Sequence, residues 1–201
     1  MMWPFNRRKK EIEQTERPFS ISKPETSKKV EIERMANRLQ DVLLKTEQEV
    51  VILCVGSDRS TGDALGPFVG SMLVEKNIPF PVYGTLEEPV HALNLKNVIK
   101  EIHQQYTNPF ILGVDACLGD EKNIGMVLLE EGPFIPGNAV HKNLPSIGNY
   151  HIKAIVNYLY PFAPIQSLNS TRLLTVKRLA EIIVEIIVRA STIEDKAESN
   201  K

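Results

Sequence analysis

The chain has 201 residues, a length that fits one domain with a hydrophobic core of its own. Its 24 basic and 25 acidic residues leave a formal net charge of −1, which argues against nucleic acid or an anionic membrane as a partner. Its two cysteines, Cys54 and Cys117, form no closely spaced pair and no disulfide framework, and they indicate a reducing compartment. Since the apolar segments are shorter than the roughly 20 residues that cross a bilayer, and residues 1–14 lack the apolar stretch of a secretory signal, we expect a cytoplasmic protein.

The two ends of the chain differ in composition from its middle. Residues 1–28 mix charges with prolines and have no sustained hydrophobic period, which predicts a mobile arm. Residues 191–201 have a similar composition and are predicted to form a disordered tail. The remaining residues, 29–190, are predicted to fold as a single domain.

In chain order, the apolar pattern of the middle changes repeatedly between helical and strand-like periods. The sequence predicts helices over 28–45, 63–77, 91–106, 149–160 and 171–189, strands over 49–56, 80–86, 109–116, 124–132 and 163–170, and a loop-rich stretch over 133–148. The runs EVVILCVG and PFILGVDA are continuously apolar, which is typical of strands buried on both faces of a parallel sheet. The alternation of strands and helices therefore predicts a three-layer α/β/α sandwich with a mostly parallel sheet.

Two aspartates follow the two most apolar strands of this pattern. Asp63 lies in the loop GSDRSTGDALGP, and Asp115 ends the strand over 109–116. If the two strands are neighbours, both aspartates lie at the carboxyl edge of the sheet, where one carboxyl can hold a proton as an acid while the other activates a water. This pairing indicates hydrolysis, but structural roles stay open as well, since Asp63 can cap the following helix and Asp115 can cap a turn or pair with a lysine. The glycines of the loop match neither common phosphate-binding pattern.

Four more residues are candidates for binding a substrate at this edge. Glu87 and Glu88 follow the second predicted strand, where they can equally be solvated turn charges. Gly148 and Asn149 lie at the start of the fourth predicted helix. Free backbone amides at a helix start can hold a carbonyl or a carboxylate, although helix initiation accounts for the two residues equally well.

Two short motifs resemble a known family. The letters T-x-D-A-L-G-P over 61–67, and the strand end VDA over 114–116, resemble the spore germination protease. Over residues 50–190 the chain resembles more closely that protease's small relatives, the YyaC-like sporulation proteins. The resemblance implies a hydrolase-like α/β/α fold, shared with the more distantly similar hydrogenase maturation proteases. It also implies endopeptidase cleavage of a small spore or sporulation protein, with Asp63 and Asp115 as the catalytic residues.

The sequence departs from these families in two respects. Hydrogenase maturation proteases carry a metal-binding histidine before a late helix, and in the similar stretch here, KNLPSIGNY, Pro145 and Ser146 take its place. We therefore predict no metal and no other cofactor, although His141 and His151 lie nearby as substitutes. The chain is also shorter than the germination protease. Because a shared fold does not by itself transfer an activity, two functions stay open: an endopeptidase of the mother cell or forespore, and a binding or regulatory module of sporulation that keeps the cleft without cutting. A homo-oligomer is compatible with either.

Overall fold

The protein is described by a computed structural model over residues 19–20, 25–136 and 146–192. The strands are β1 Phe19–Ser20, β2 Val50–Cys54, β3 Val82–Tyr83, β4 Phe110–Gly119, β5 Met126–Glu131 and β6 Tyr150–Tyr158. The helices are α1 Glu25–Lys45, α2 Leu65–Glu75, α3 Leu95–Gln105, α4 Pro164–Asn169 and α5 Leu173–Ser191. In this part of the chain, no helix is both long and apolar enough to cross a membrane.

The strands form one sheet in the order β1-β5-β6-β4-β2-β3. Strands β3, β2, β4 and β6 run parallel to one another. Strand β5 is antiparallel to both of its neighbours, β6 and β1, and β1 forms one edge of the sheet. All five residues of β2 are buried, as their continuous apolar run predicts. The predicted mostly parallel sheet is confirmed, and β2 and β4 are direct neighbours at its centre.

Helices cover both faces of the sheet. Since successive side chains of a strand point to opposite faces, Ile52 and Leu112 pack in the same core as α1, α2 and α5. The alternate positions, among them Leu53 and Ile111, pack in the same core as α3 on the other face. The apolar face of α5 is buried, and Ile183, one of its residues, is fully buried. The predicted α/β/α layering is therefore confirmed.

Two elements of the predicted second half are wrong. The segment predicted as a helix over 149–160 is strand β6, which pairs with β4 on one side and β5 on the other. Its β-branched residues Ile152, Ile155 and Val156 suit a buried strand, and the two neighbours satisfy its backbone. The segment predicted as a strand over 163–170 is helix α4, because proline at its first position is well suited to start a helix.

The amino-terminal boundary also differs from the prediction. Helix α1 begins at Glu25, and the backbone of β1 pairs with β5. The strand and the helix thus begin within the range predicted as a mobile arm, 1–28. The arm stays a prediction, since residues 1–18 and 21–24 lie outside the described residues. The remaining domain bounds, including the tail over 191–201, stay predictions.

Candidate active site

The loop after β2 brings Asp63 back against the end of that strand. The Ser57 N–H donates a hydrogen bond to the carbonyl oxygen of Asp63 at 3.1 Å. A Cβ atom on Gly56 would lie 2.0 Å from the same oxygen, and the φ of Gly56 is +151°. Glycine is therefore needed at this position because the Asp63 backbone approaches closer than any side chain allows.

Asp115 lies on β4, the strand next to β2, and only 6% of it is exposed. The parallel ladder continues beyond β2, where the Val55 N–H donates to the carbonyl oxygen of Val114 at 2.8 Å. The loop that carries Asp63 thus leaves β2 at the level of Asp115. The structure places both aspartates at the carboxyl edge of two adjacent parallel strands, while their catalytic role stays a prediction.

The surroundings of Asp63 favour its protonated form. Burial raises the pKa of the Asp63 carboxyl, while a hydrogen bond from the Ser57 backbone and the positive charge of His91 lower it by smaller amounts. The alternative that Asp63 caps α2 is wrong, because the residue at the capping position is Ala64 and no side chain caps this helix. A carboxyl whose pKa is raised keeps its proton to a higher pH than an exposed aspartate does, which suits a role as an acid.

Beside Asp115, strands β5 and β6 carry a cluster of charged and polar groups. Lys153 is the register partner of Asp115 on β6, and its ammonium donates to Glu130 Oε2 at 3.2 Å. The same oxygen lies 2.9 Å from Nε2 of His151, whose Nδ1 lies 2.9 Å from the carbonyl oxygen of Gly132. The pKa of Glu130 is lowered on balance: burial raises it, but its bonds to His151 and Lys153 outweigh burial. Sequence analysis missed Glu130 and Lys153.

His151 is structural in this arrangement. It is 4% exposed, and both of its ring nitrogens face oxygen atoms. Since an oxygen atom already lies at hydrogen-bond distance from each ring nitrogen, the ring offers neither nitrogen to a metal ion. In the ranges that the structure describes, no three His, Cys, Asp or Glu side chains form a group able to hold a metal ion. The second predicted substitute, His141, lies outside those ranges, as does Pro145.

The two cysteines are not placed as nucleophiles. Burial, followed by the negative charge of Asp115, raises the pKa of Cys117 to about 12. Burial also raises the pKa of Cys54, which lies within the core. Since the thiolate is the reactive form, neither side chain reacts readily near neutral pH.

Glu87 and Glu88 lie in an exposed turn after β3. The Thr85 N–H donates to the carbonyl oxygen of Glu88 at 3.2 Å, and the Glu88 N–H donates to Thr85 Oγ1 at 3.0 Å. The turn leads to Val90, which forms a parallel bridge with Val55. The two glutamates therefore belong to a segment at the carboxyl edge, and a role in substrate binding stays a prediction.

Gly148 and Asn149 lie at the opposite edge of the sheet. They precede β6, which runs parallel to β4, and the Ile111 N–H donates to Asn149 Oδ1 at 2.9 Å. Asp115 lies four positions after Ile111 on β4, a distance of about 13 Å along a strand. The prediction that these two residues begin a helix is wrong, and the structure does not bring them to the aspartates.

An apolar surface follows β6 and adjoins the Asp63 loop. We call it the 159–165 surface; its exposed side chains are Leu159, Tyr160, Phe162 and Ile165. A cleft of about 650 Å³ lies between this segment and α4. The segment is joined to the loop of Asp63 through the Gly62 N–H, which donates to the carbonyl oxygen of Leu168 at 2.9 Å. Sequence analysis missed this surface because it predicted a strand there.

Among the solved structures similar to this chain are two hydrogenase maturation proteases. The hydrogenase maturation protease HycI from Thermococcus kodakarensis KOD1 has a TM-score of 0.47 and 22% identity, over 74% of this chain and 97% of that chain. The hydrogenase maturation protease HybD from Thermococcus kodakarensis has a TM-score of 0.44 and 17% identity, over 72% of this chain and 99% of that chain. Both TM-scores lie below 0.5, so the activity that these names describe remains a property of those two proteins.

Sequence comparison finds a nearer relative. Over 137 residues the chain is 46% identical to the "Uncharacterized protein YyaC" of Bacillus subtilis (strain 168). The match covers 68% of this chain and 66% of the relative, so the chain spans just under two thirds of that protein's length. The predicted similarity to YyaC-like proteins is confirmed. A family model also matches residues 24–186, and the chain belongs to that family, described as "Protein of unknown function (DUF1256)".

Proposed function

We propose that this protein is an aspartate-dependent endopeptidase with Asp63 and Asp115 as its catalytic residues. The observation that carries the proposal is that Asp115 lies on β4 just beyond the last residue paired with β2, at the level where the loop of Asp63 leaves β2; the remaining buried side chains of these adjacent parallel strands are apolar. A carboxyl group is costly to bury in such a sheet unless it is paired or used. The carboxyl edge of a parallel sheet is also where loops and helix ends form binding sites.

The surroundings of the two aspartates suggest different tasks in peptide hydrolysis. Asp115, as carboxylate, takes a proton from a water molecule, whose oxygen adds to the peptide carbonyl carbon. Asp63, as carboxylic acid, gives its proton to the carbonyl oxygen. The tetrahedral intermediate then breaks its C–N bond, and the nitrogen leaves with the proton that Asp115 took up. One hydroxyl of the intermediate returns its proton to Asp63 as the carboxylic acid product forms, so both aspartates regain their starting states. The raised pKa of Asp63 supports its assignment as the acid.

The substrate that we propose is a small spore or sporulation protein in the cytoplasm of a spore-forming bacterium. The similarity of residues 61–67 and 114–116 to the germination protease motifs supports this class of substrate. The relation to YyaC of Bacillus subtilis is compatible with it. Because the chain spans only part of that relative, the substrate of the whole protein is part of the proposal.

The test is cleavage of purified small acid-soluble spore proteins over a range of pH, followed by intact mass. Asp63→Asn and Asp115→Asn are expected to abolish cleavage. Asp58→Asn, an exposed aspartate of the same loop, is the matched control and is expected to cleave like the wild type. Circular dichroism and urea unfolding of each variant show whether a loss comes from unfolding. Undiminished turnover by Asp63→Asn, or no cleavage by the wild type at any pH, contradicts the proposal.

A second candidate is a binding module that keeps the cleft without cutting. The 159–165 surface favours it, since Phe162 is fully exposed and suits an apolar segment of a partner protein, and α4, which follows this surface, is bonded to the loop of Asp63 through Leu168. The module predicts that a sporulation protein is retained intact on the immobilised chain. It also predicts that Phe162→Ser weakens this retention while Asp63→Asn and Asp115→Asn do not. Cleavage of the retained protein by the wild type would favour the endopeptidase over the binding module.

A further inference from the structure

His91 approaches the end of β2 from a different segment than Asp63. The residue before it, Val90, bridges Val55, and its carbonyl oxygen accepts a hydrogen bond from the Gly56 N–H at 2.8 Å. The carbonyl oxygen of Asp63 lies against the same glycine. The chain therefore places His91 and Asp63 on two sides of Gly56.

The backbone around His91 is held by hydrogen bonds. Its N–H donates to Asn94 Oδ1 at 2.8 Å, and Asn94 Nδ2 donates to the carbonyl oxygen of Pro89 at 3.0 Å. Asn94 also precedes the first residue of α3, so this segment is attached to a helix. His91 thus lies on a well-braced segment, as a residue of a working site requires.

The two ring nitrogens of His91 differ in their surroundings. The Leu93 N–H donates to Nδ1 at 3.3 Å, which leaves the proton of the neutral ring on Nε2. When the ring is protonated, Nδ1 carries a proton as well and the bond from Leu93 is lost, but Nε2 remains a donor, so this atom can donate in both states. Within the described residues Nε2 has no hydrogen-bond partner, and the side chain is only half-buried. Its N–H is therefore available to a bound molecule.

His91 also influences the charge of Asp63. Its positive charge lowers the pKa of the Asp63 carboxyl, against the larger effect of burial. The Ser57 backbone N–H acts in the same direction. Other charged side chains on the two segments are exposed to solvent, which screens them; these are Asp58, Arg59, Glu87 and Glu88.

We propose that His91 is a third catalytic residue, which donates an Nε2–H hydrogen bond to the carbonyl oxygen of the bound peptide beside Asp63. The inference rests on the proposed endopeptidase function. The bond stabilises the negative charge that develops on this oxygen until Asp63 protonates it. Asp115, as an ionised carboxylate, only accepts hydrogen bonds, and Asp63 gives up its proton during the reaction, so His91 is the donor that stays available to this oxygen.

Two substitutions separate this role from a structural one. The amide nitrogen of glutamine reaches about the position of Nε2, whereas asparagine has an oxygen near the position of Nδ1 and no donor as far out. We expect His91→Asn to lower kcat by about 100-fold and His91→Gln to retain more of the activity. If His91 serves only to accept the Leu93 N–H, asparagine is the tolerated substitution and glutamine is not. Wild-type activity in His91→Asn overturns the proposal.

A second measurement does not depend on cleavage. The carboxyl carbon of Asp63, followed by NMR as pH changes, reports its titration directly. Losing His91 removes a pKa-lowering charge, so the Asp63 midpoint is expected to rise in His91→Asn and to stay unchanged in His103→Asn, an exposed histidine of α3. If the wild type cleaves nothing, the proposed function fails. The titration then decides separately whether His91 acts on Asp63, and an unchanged midpoint overturns that partnership.

Discussion

Replacing Gly56 with alanine is expected to destabilise the protein and to displace Asp63. The added Cβ would lie 2.0 Å from the Asp63 carbonyl oxygen and 3.0 Å from Pro67 Cδ, at a φ of +151°. Backbone strain of this kind costs about 1–3 kcal/mol, and an overpacked contact costs about 1–3 kcal/mol more. The expected loss in the free energy of unfolding is therefore about 2–6 kcal/mol, the sum of these two ranges. The hydrogen bond from Ser57 to the same oxygen is expected to break as the loop moves away.

Gly132→Ala is the matched control for this experiment. Its φ is +102°, and no atom lies within 4 Å of the position of its Cβ. The control is therefore expected to show the backbone strain alone, about 1–3 kcal/mol. Urea unfolding of both variants, followed by circular dichroism, gives the two free energies. If Gly56→Ala costs no more than Gly132→Ala, the Asp63 backbone does not press against Gly56, and the argument for this loop geometry is refuted.

Three more predictions concern the charge, the core and the thiols. Because the pKa of Asp63 is raised in the folded chain, the folded chain binds the Asp63 proton more tightly than the unfolded chain, in which this pKa is near 3.8. The contribution of Asp63 to the free energy of unfolding therefore falls as pH rises through and above 3.8. Asp63→Asn is expected to remove that fall. In urea unfolding between about pH 4 and 7, the free energy of unfolding of the variant should therefore rise relative to that of the wild type as pH increases. A constant difference between the two free energies contradicts the burial of Asp63. Ile183→Ala, in the buried face of α5, is expected to lower the free energy of unfolding by about 2–5 kcal/mol. Leu174→Ala, at an exposed position of the same helix, is expected to lower it by at most about 0.5 kcal/mol. Similar losses for the two variants in urea unfolding would contradict the packing of α5. Cys54 and Cys117 are expected to resist iodoacetamide at neutral pH in the folded protein and to react in denaturant, as measured by intact mass; rapid labelling of the folded protein would contradict their burial.

The first half of the fold was predictable because its signals are local. A continuous apolar run of five to eight residues between polar loops suits a strand with both faces covered, and both β2 and β4 have such a run. The positions of Asp63 and Asp115 followed from that, since each ends or follows one of these strands. The order of the strands in the sheet then decided that the carboxyl ends of β2 and β4 are neighbours.

The polar cluster beside Asp115 was not predictable in the same way. Glu130, His151 and Lys153 meet only because β5 and β6 pair side by side. When the segment after 148 is taken as a helix, His151 and Lys153 point in different directions. As a strand, they lie two residues apart and therefore share a face.

His91 was missed for a related reason. It belongs to a segment with no strong period of its own, between β3 and α3. Only the bridge from Val90 to Val55 brings it beside Gly56. Such contacts join residues that are more than 30 positions apart, and no local pattern encodes them.

By itself, the sequence determined the class of the fold and the edge of the sheet at which the two aspartates lie, because hydrophobic period and strand burial are properties of short segments. The tertiary structure alone decided that the segment over 150–158 is a strand, since its apolar spacing fits a helix as well and only the hydrogen bonds of β4 and β5 select the extended form. It also decided which side chains surround each aspartate. Those neighbours come from separate segments, and only the folded backbone places them together.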